Sequence, residues 1–309
     1  MTSVAFLVNP ASDNGRTGKL WPQIARQAAE AGVIGESFIS ERPGQLADLA
    51  IHATASGAEL LVVVGGDGTV NEVVNGLMTL RESQGPSPEL AVIPRGTGRD
   101  FVRTFKIPKR LEDALAIVRD GATREIDTGS VEYRAWDGST ACRYFANVAG
   151  AGMSGAVAKR ANSSSKALGG KVSFLAATLA VFARWNASEV SVEVDETSRS
   201  GLVYEVVIAN CEYLAGGMRM TPGARPDDGL FDVLLIGDIT RRDLALNLPK
   251  VYRGTHLPHP KLELLQGRAV SVDAAAPLPV QLDGEQPGTT PVRFEVVPRA
   301  LRLRVPRRG

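Results

Sequence analysis

The stretch LVVVGGDGTVNEVVNGLM, Leu61 to Met78, decides how the chain is read. It opens with four apolar residues, three of them β-branched, and is closed by Gly65 and Gly66. Such a run is a short strand buried on both faces. Beyond the glycines, Val70, Val73, Val74 and Leu77 recur at helical spacing, so the segment is strand, glycine turn, helix. A turn of this kind presents backbone N–H groups at a helix start, where the helix dipole favours an anion. Gly65, Gly66 and Gly68 carry no Cβ, which lets a phosphate come close to the backbone. Asp67 repels a phosphate unless it serves a metal ion or takes a hydroxyl proton. The alternative use of Asp67 is a helix-capping residue in a tight turn.

Working outward, Leu90–Ile93 is a second short apolar run, followed by Pro94-Arg95-Gly96-Thr97-Gly98-Arg99-Asp100-Phe101. Asp67 and Asp100 therefore each lie in a glycine turn after a parallel strand, and both turns open on one sheet edge. Backbone donors plus two carboxylates suit a nucleotide phosphate with Mg²⁺. For Asp100 the alternative is an N-cap before Phe101-Val102-Arg103. Val4–Val8 is the first strand, ending in Asn9-Pro10-Ala11-Ser12 and a polar loop to Gly18. Such βα loops are where α/β sheets bind ligands. Lys19–Ala31 and Pro43–Ala55 read as helices, Gly35–Ile39 as a strand, Leu111–Val118 as a helix and Arg124–Thr128 as a strand. This alternation predicts a parallel sheet wrapped by helices.

After Ser130 the pattern becomes short, alternating and turn-bounded: Val131–Ala135, Arg143–Val148, Val190–Val194, Val203–Asn210, Leu230–Ile236, Val270–Asp273, Val292–Val297 and Leu301–Val305. That predicts a mainly antiparallel β-sandwich or open barrel. Helices over Lys171–Trp185 and Arg241–Tyr252 interrupt it. The expected division is an α/β domain over 1–128 and a β-sandwich domain over 129–309, with the last strand returning to the first domain.

The bulk numbers narrow the partners. A chain of 309 residues holds two domains, and a net charge of +1 gives no global field for nucleic acid. Two cysteines, Cys142 and Cys211, make no disulfide framework and fit a reducing cytoplasm. The start MTSVAFLVNP is no signal peptide, and the longest apolar run, Phe174–Ala183, is too short to span a bilayer, so any membrane contact is peripheral.

Together, GGDGTVNEV and PRGTGRDF resemble the diacylglycerol kinase and sphingosine kinase superfamily, in its bacterial soluble lipid kinase branch. A bare GGDG also occurs in NAD kinases and more loosely in 6-phosphofructokinases. Further matches are the NPxS loop at Asn9–Ser12, Ser40 after the second strand, Ile126-Asp127-Thr128-Gly129, Asp227-Asp228-Gly229 and Asp283-Gly284-Glu285. The resemblance implies an NAD-kinase/phosphofructokinase-like fold for the first half. It implies ATP as donor and Mg²⁺ near Asp67 and Asp100, supported by Asp127. It assigns the nucleotide to Asn9, Ser40, Gly65, Gly66, Asp67, Gly68, Thr69, Val70, Asn71, Gly96 and Thr97. Glu285 becomes the base that takes a lipid hydroxyl proton, with Asp67 the competing base. Asp228 and the carbonyls of Arg225 and Leu230 would hold a structural cation; a plain β-turn explains the same residues. Expected partners are ATP, a diacylglycerol-like lipid at the inner face of the membrane, and a second copy as homodimer. The sequence departs from the family at Asp13, where glycine is common, and at Arg99, where asparagine is common. Rival readings are a soluble NAD- or alcohol-type kinase and a nucleotide-binding regulator without catalysis.

Other residues get simpler expectations. His52, His256 and His259 have no ligand spacing and read as surface or cap residues, while both cysteines read as buried. Arg293, Arg299, Arg302, Arg304, Arg307 and Arg308 form a basic carboxyl end, either a solvated face or an anionic-lipid contact. Phe174, Leu175, Leu179, Val181, Phe182 and Trp185 line an acyl pocket or pack a core.

Overall fold

The computed structural model describes residues 2–163, 180–182 and 184–307. Two compact units emerge: Met1–Ile126 with Arg299–Gly309, and Asp127–Pro298.

The first unit runs β1 (Val4–Val8), α1 (Arg16–Glu30), β2 (Glu36–Ile39), α2 (Gln45–Ala55), β3 (Leu60–Gly65), α3 (Asp67–Glu82), β4 (Glu89–Pro94), α4 (Asp100–Thr104) and α5 (Leu111–Asp120). β1 lies between β2 and β3, and β3 between β1 and β4, all parallel. Every residue of β3 is buried, as the unbroken apolar run requires of a strand covered by helices on both faces. On one face Trp21, Ile24, Leu115 and Val118 of α1 and α5 cover Phe6, Val62 and Ile93. The C-terminal strand returns here: Arg302 and Leu303 pair in parallel with Glu89 and Leu90 of β4.

The second unit contains most of β5 (Ala122–Ala135), then β6 (Thr140–Phe145), β7 (Val148–Gly152), α6 (Met153–Ser163), β8 (Ser188–Val194), β9 (Thr197–Ala209), β10 (Tyr213–Leu214), β11 (Met218–Arg219), β12 (Phe231–Gly237), α7 (Arg241–Arg253), β13 (Leu262–Gly267), β14 (Ala269–Ala274), β15 (Pro279–Leu282) and the start of β16 (Glu285–Val305). All its mapped pairings are antiparallel. β9 organises it. Residues 197–203 of β9 pair with β8, whereas residues 205–209 pair with β7. β8 pairs with β14, β14 with β16, β16 with β15 and β15 with β7, so the ladder runs in a circuit back to β9. Phe145, Phe231 and Phe294 are the largest fully buried side chains of the core it encloses.

Several expected boundaries shift. Arg124–Thr128 and Val131–Ala135 merge into β5, because Gly129 does not break the strand. An added Cβ there would lie 2.0 Å from the Phe145 ring, so the glycine makes room for that ring. The expected strand Arg143–Val148 instead breaks at Ala146 and Asn147, whose N–H groups donate to Asp283 rather than to a ladder. Val292–Val297 and Leu301–Val305 join in β16 through Arg299, at φ 49°. Cys211 is buried as expected, but Cys142 is exposed on β6. His256 is a core residue, not a surface one, with its Nε2 3.0 Å from the Met220 carbonyl. Burial pushes its pKa down.

The expected helix Lys171–Trp185 lies mostly outside the described residues, including Phe174, Leu175 and Leu179. Of the remainder, Phe182 stacks on Tyr204, and Trp185 donates its indole N–H to the Tyr204 carbonyl. These two pack a core. Among the described residues no helix is long and apolar enough to cross a membrane.

Candidate active site

In the first unit the two glycine turns leave the ends of adjacent strands, where Val64 pairs with Ile93 and Gly65 with Pro94. They touch through backbone. An added Cβ on Gly96 would lie 2.6 Å from the Gly66 Cα. Only glycine at this contact lets the turns sit this close. A Cβ on Gly98 would lie 2.6 Å from Asp67 Oδ2 and 3.5 Å from Asp100 Oδ2. Both carboxylates therefore reach the space beside Gly98. By contrast, a Cβ on Gly68 would meet nothing within 4 Å, which leaves free space in front of the α3 N-terminus.

Asp67 is the first residue of α3, yet the cap it supplies belongs to the other turn. Its Oδ1 accepts from the Phe101 N–H at 3.1 Å. Burial pushes its pKa up, while the N–H groups of Phe101, Arg99 and Asp100 pull it down. The capping use of Asp67 is thus real, but across the two turns. Asp100 is not the N-cap of α4; it is the first helical residue, and Arg99 holds the cap position at φ 60°, ψ 37°. That left-handed conformation suits asparagine better than arginine. It explains the asparagine common in the resembled family. Asp13, at φ 53°, explains in the same way why glycine is common at its position.

The remaining sequence-assigned residues divide in two. Asn9 donates to the Thr69 hydroxyl at 3.0 Å and accepts from the Ala11 N–H, so it ties the first loop to α3. Ser40 is buried just past β2, its N–H donating to the Val8 carbonyl. Val70 and Asn71 are buried behind the turn, whereas Gly68 and Thr97 are exposed.

In the second unit Glu285 opens β16 and pairs with Arg143 at 2.8 Å, both about half exposed. The turn before it is anchored by Asp283, which accepts from the N–H groups of Ala146, Asn147 and Val148 at 2.9–3.0 Å. Asn210 joins this region to the DDG turn, donating to the carbonyls of Ala146 and Asp127. Asp127 accepts from the Gly229 N–H at 2.8 Å and donates its own N–H to the Pro226 carbonyl. Its carboxylate therefore closes the DDG turn. Asp228 is exposed and accepts from the Leu230 N–H at 3.1 Å, while the Arg225 side chain lies 3.7 Å from Asp227. The turn use of these residues accounts for every bond named here. Among the described residues no three or more His, Cys, Asp or Glu side chains gather as a metal site.

Sequence reasoning gave no role of their own to Asp283, Asn210 or Arg143. A DGE turn signals its glycine and its acid, but the groups Asp283 serves lie 135 to 137 residues away. Four of the six arginines of the basic carboxyl end lie beside acids, and Arg308 lies outside the described residues. Arg302 and Arg304 hold Glu89 at 3.0 and 2.7 Å, Arg293 holds Glu295 at 2.7 Å, and Arg299 lies 3.8 Å from Glu125.

Comparison with known families gives this geometry a context. The family model for the diacylglycerol kinase catalytic domain matches residues 3–131. The model for the YegS C-terminal NAD kinase beta sandwich-like domain matches residues 147–305, just over half the chain. The chain belongs to the diacylglycerol kinase family. A diacylglycerol kinase of Staphylococcus epidermidis is 27% identical over 289 residues, covering 94% of this chain and 87% of that protein. A crystal structure of a Bacillus anthracis protein, provisionally named a diacylglycerol kinase, superposes with a TM-score of 0.79 at 23% identity, covering 98% of this chain and 95% of that one. Yeast NADH kinase complexed with NADH superposes at 0.57 with 11% identity, covering 100% and 84%. At these identities the two structures speak for the fold alone. This diacylglycerol kinase family member is a transferase of the lipid kinase class.

Proposed function

We propose that the protein transfers the γ-phosphate of ATP to the hydroxyl of a diacylglycerol-like lipid at the inner membrane face. The observation that carries this reading is the approach of both Asp67 and Asp100 to Gly98, beside a helix start with clear space at Gly68. Two carboxylates fit Mg²⁺, which characteristically takes one or two protein carboxylates and completes its shell with water and phosphate oxygens. Mg²⁺ bound there supplies charge neutralisation on the triphosphate. The N–H groups at the start of α3 bind phosphate oxygens, and the close backbone contact of Gly66 with Gly96 keeps side chains out of their path. Asn9, through Thr69, fixes the first loop against the same helix.

Glu285 takes the proton from the acceptor hydroxyl, and Arg143 holds it in place until substrate arrives. Asp283 sets the position of the turn that carries it. A base contributes about 10²–10⁴-fold to such a step. The test is phosphate transfer from labelled ATP to a lipid panel, with NAD and soluble alcohols as alternative acceptors. Glu285→Gln should lose at least about 100-fold in kcat with KM for ATP unchanged. Full activity in that variant removes Glu285 from the role. Transfer to NAD in preference to every lipid replaces the lipid reading with the NAD-kinase one.

A further inference from the structure

Arg99 stands beside the two carboxylates of the glycine turns and pairs with neither. Asp100 follows it in the chain, and Asp67 accepts from its backbone N–H. Yet among the described residues its guanidinium makes no ion pair, whereas Arg42, Arg110 and Arg119 of the same unit each hold a neighbouring acid. The side chain is half-buried. Its backbone is held left-handed at φ 60°, ψ 37°, which costs an arginine free energy. Strain of this kind persists where a functional site requires it. Arginine stays charged at any working pH, and its planar fork matches two oxygens of one phosphate. A cation that lies beside two acids without neutralising them is kept for another anion. The anion the proposed site takes is the triphosphate.

We infer that Arg99 grips the γ-phosphoryl group of the nucleotide during transfer. This deepens the proposed reaction and rests on it. In that step the acceptor oxygen forms a bond to the γ-phosphorus. The bond from that phosphorus to the β–γ bridging oxygen breaks, and the nucleoside diphosphate leaves with the electron pair. The hydroxyl proton passes to the base of the proposed reaction. Arg99 gives and takes no proton; it holds the equatorial oxygens, over which charge spreads in transit. Backbone N–H groups at the start of α3 meet the phosphates from one side. The guanidinium reaches them from the facing turn, whose Gly96 lies against Gly66. Asparagine suits the left-handed angle better, but it is shorter and uncharged, so the strain accompanies the charge.

Calorimetry with ADP and with the non-hydrolysable imido analogue of ATP, both with Mg²⁺ and without lipid, tests the contact. Arg99→Gln keeps the left-handed strain and removes the charge, so its melting temperature should match wild type. It should bind the ATP analogue about tenfold more weakly and ADP equally well. Its kcat on a neutral diacylglycerol should fall at least about 100-fold. Arg99→Lys should recover most of the analogue affinity but stay at least about tenfold down in kcat, because a point charge does not span two oxygens. Arg99→Asn should melt higher and still lose the rate, making the more stable chain the poorer enzyme. Unchanged analogue binding and kcat in Arg99→Gln, or equal weakening of ADP and the analogue, overturns the inference. So does a loss of rate confined to acceptors that carry a phosphodiester, since Arg99 would then read the lipid headgroup. A wild type that favours the analogue through Arg99 yet phosphorylates no lipid would retain the contact and defeat the proposed reaction instead.

Discussion

Replacing Glu205 by glutamine probes a carboxylate that the proposed reaction does not use. Glu205 is 3% exposed on β9. It accepts from the N–H and the hydroxyl of Ser154, both at 2.6 Å, at the start of α6. Burial pushes its pKa up to about 7, with the two Ser154 bonds resisting. Between the usual 4.5 and about 7 the folded chain holds a proton that the unfolded chain has released. Stability therefore falls as pH rises through that window and levels off above it. A rise from 4.5 to about 7 is worth on the order of 3 kcal/mol. Glutamine keeps the shape, can accept from the Ser154 N–H and donate to its hydroxyl, and does not ionise. Relative to wild type, Glu205→Gln should gain on the order of 3 kcal/mol in going from pH 4.5 to pH 8. The assay is urea unfolding followed by tryptophan fluorescence at a series of pH values. Only the difference between the two proteins is informative, because burial drives His256 the opposite way over the same range. Parallel pH curves for the two proteins would refute the reasoning.

Other outcomes follow from the same geometry. Gly98→Ala puts a methyl 2.6 Å from Asp67 Oδ2 and should weaken Mg²⁺-dependent ATP binding at least about tenfold, read by calorimetry. Arg99→Asn relieves a left-handed arginine and should raise stability by about 1 kcal/mol, read as a higher melting temperature. Asp127→Ala strips the buried acceptor from the Gly229 N–H and should cost about 1–3 kcal/mol, whereas Asp228→Ala, at an exposed turn, should cost under about 1 kcal/mol with or without chelator. A melting point that drops sharply on chelation in wild type but not in Asp228→Ala would instead place a structural cation at that turn.

The first unit was legible because its signals are local. Three buried strands, β1, β3 and β4, read as apolar runs, and both turns announced themselves by glycines close to an acid. What stayed hidden depends on partners far away in the chain. No pattern near Asp67 says that its oxygen caps the helix beginning at Asp100. The break between β6 and β7 falls inside a plausible strand because Asp283 takes the N–H groups that a ladder would have used. β9 is one continuous strand, yet its two halves serve different neighbours. Arg99 was visible as a departure from its family, but the backbone angle that makes it one was not.

The final strand has a consequence for how the molecule is made. Residues Arg302 and Leu303 complete the sheet whose other members come from the first hundred residues. During synthesis, β4 emerges with an unprotected hydrogen-bonding edge and stays so until nearly the whole second unit has followed. Such an edge invites pairing with another nascent chain. Shortening the chain at residue 298 should therefore damage the first unit's sheet first, showing as insoluble protein rather than a folded N-terminal fragment.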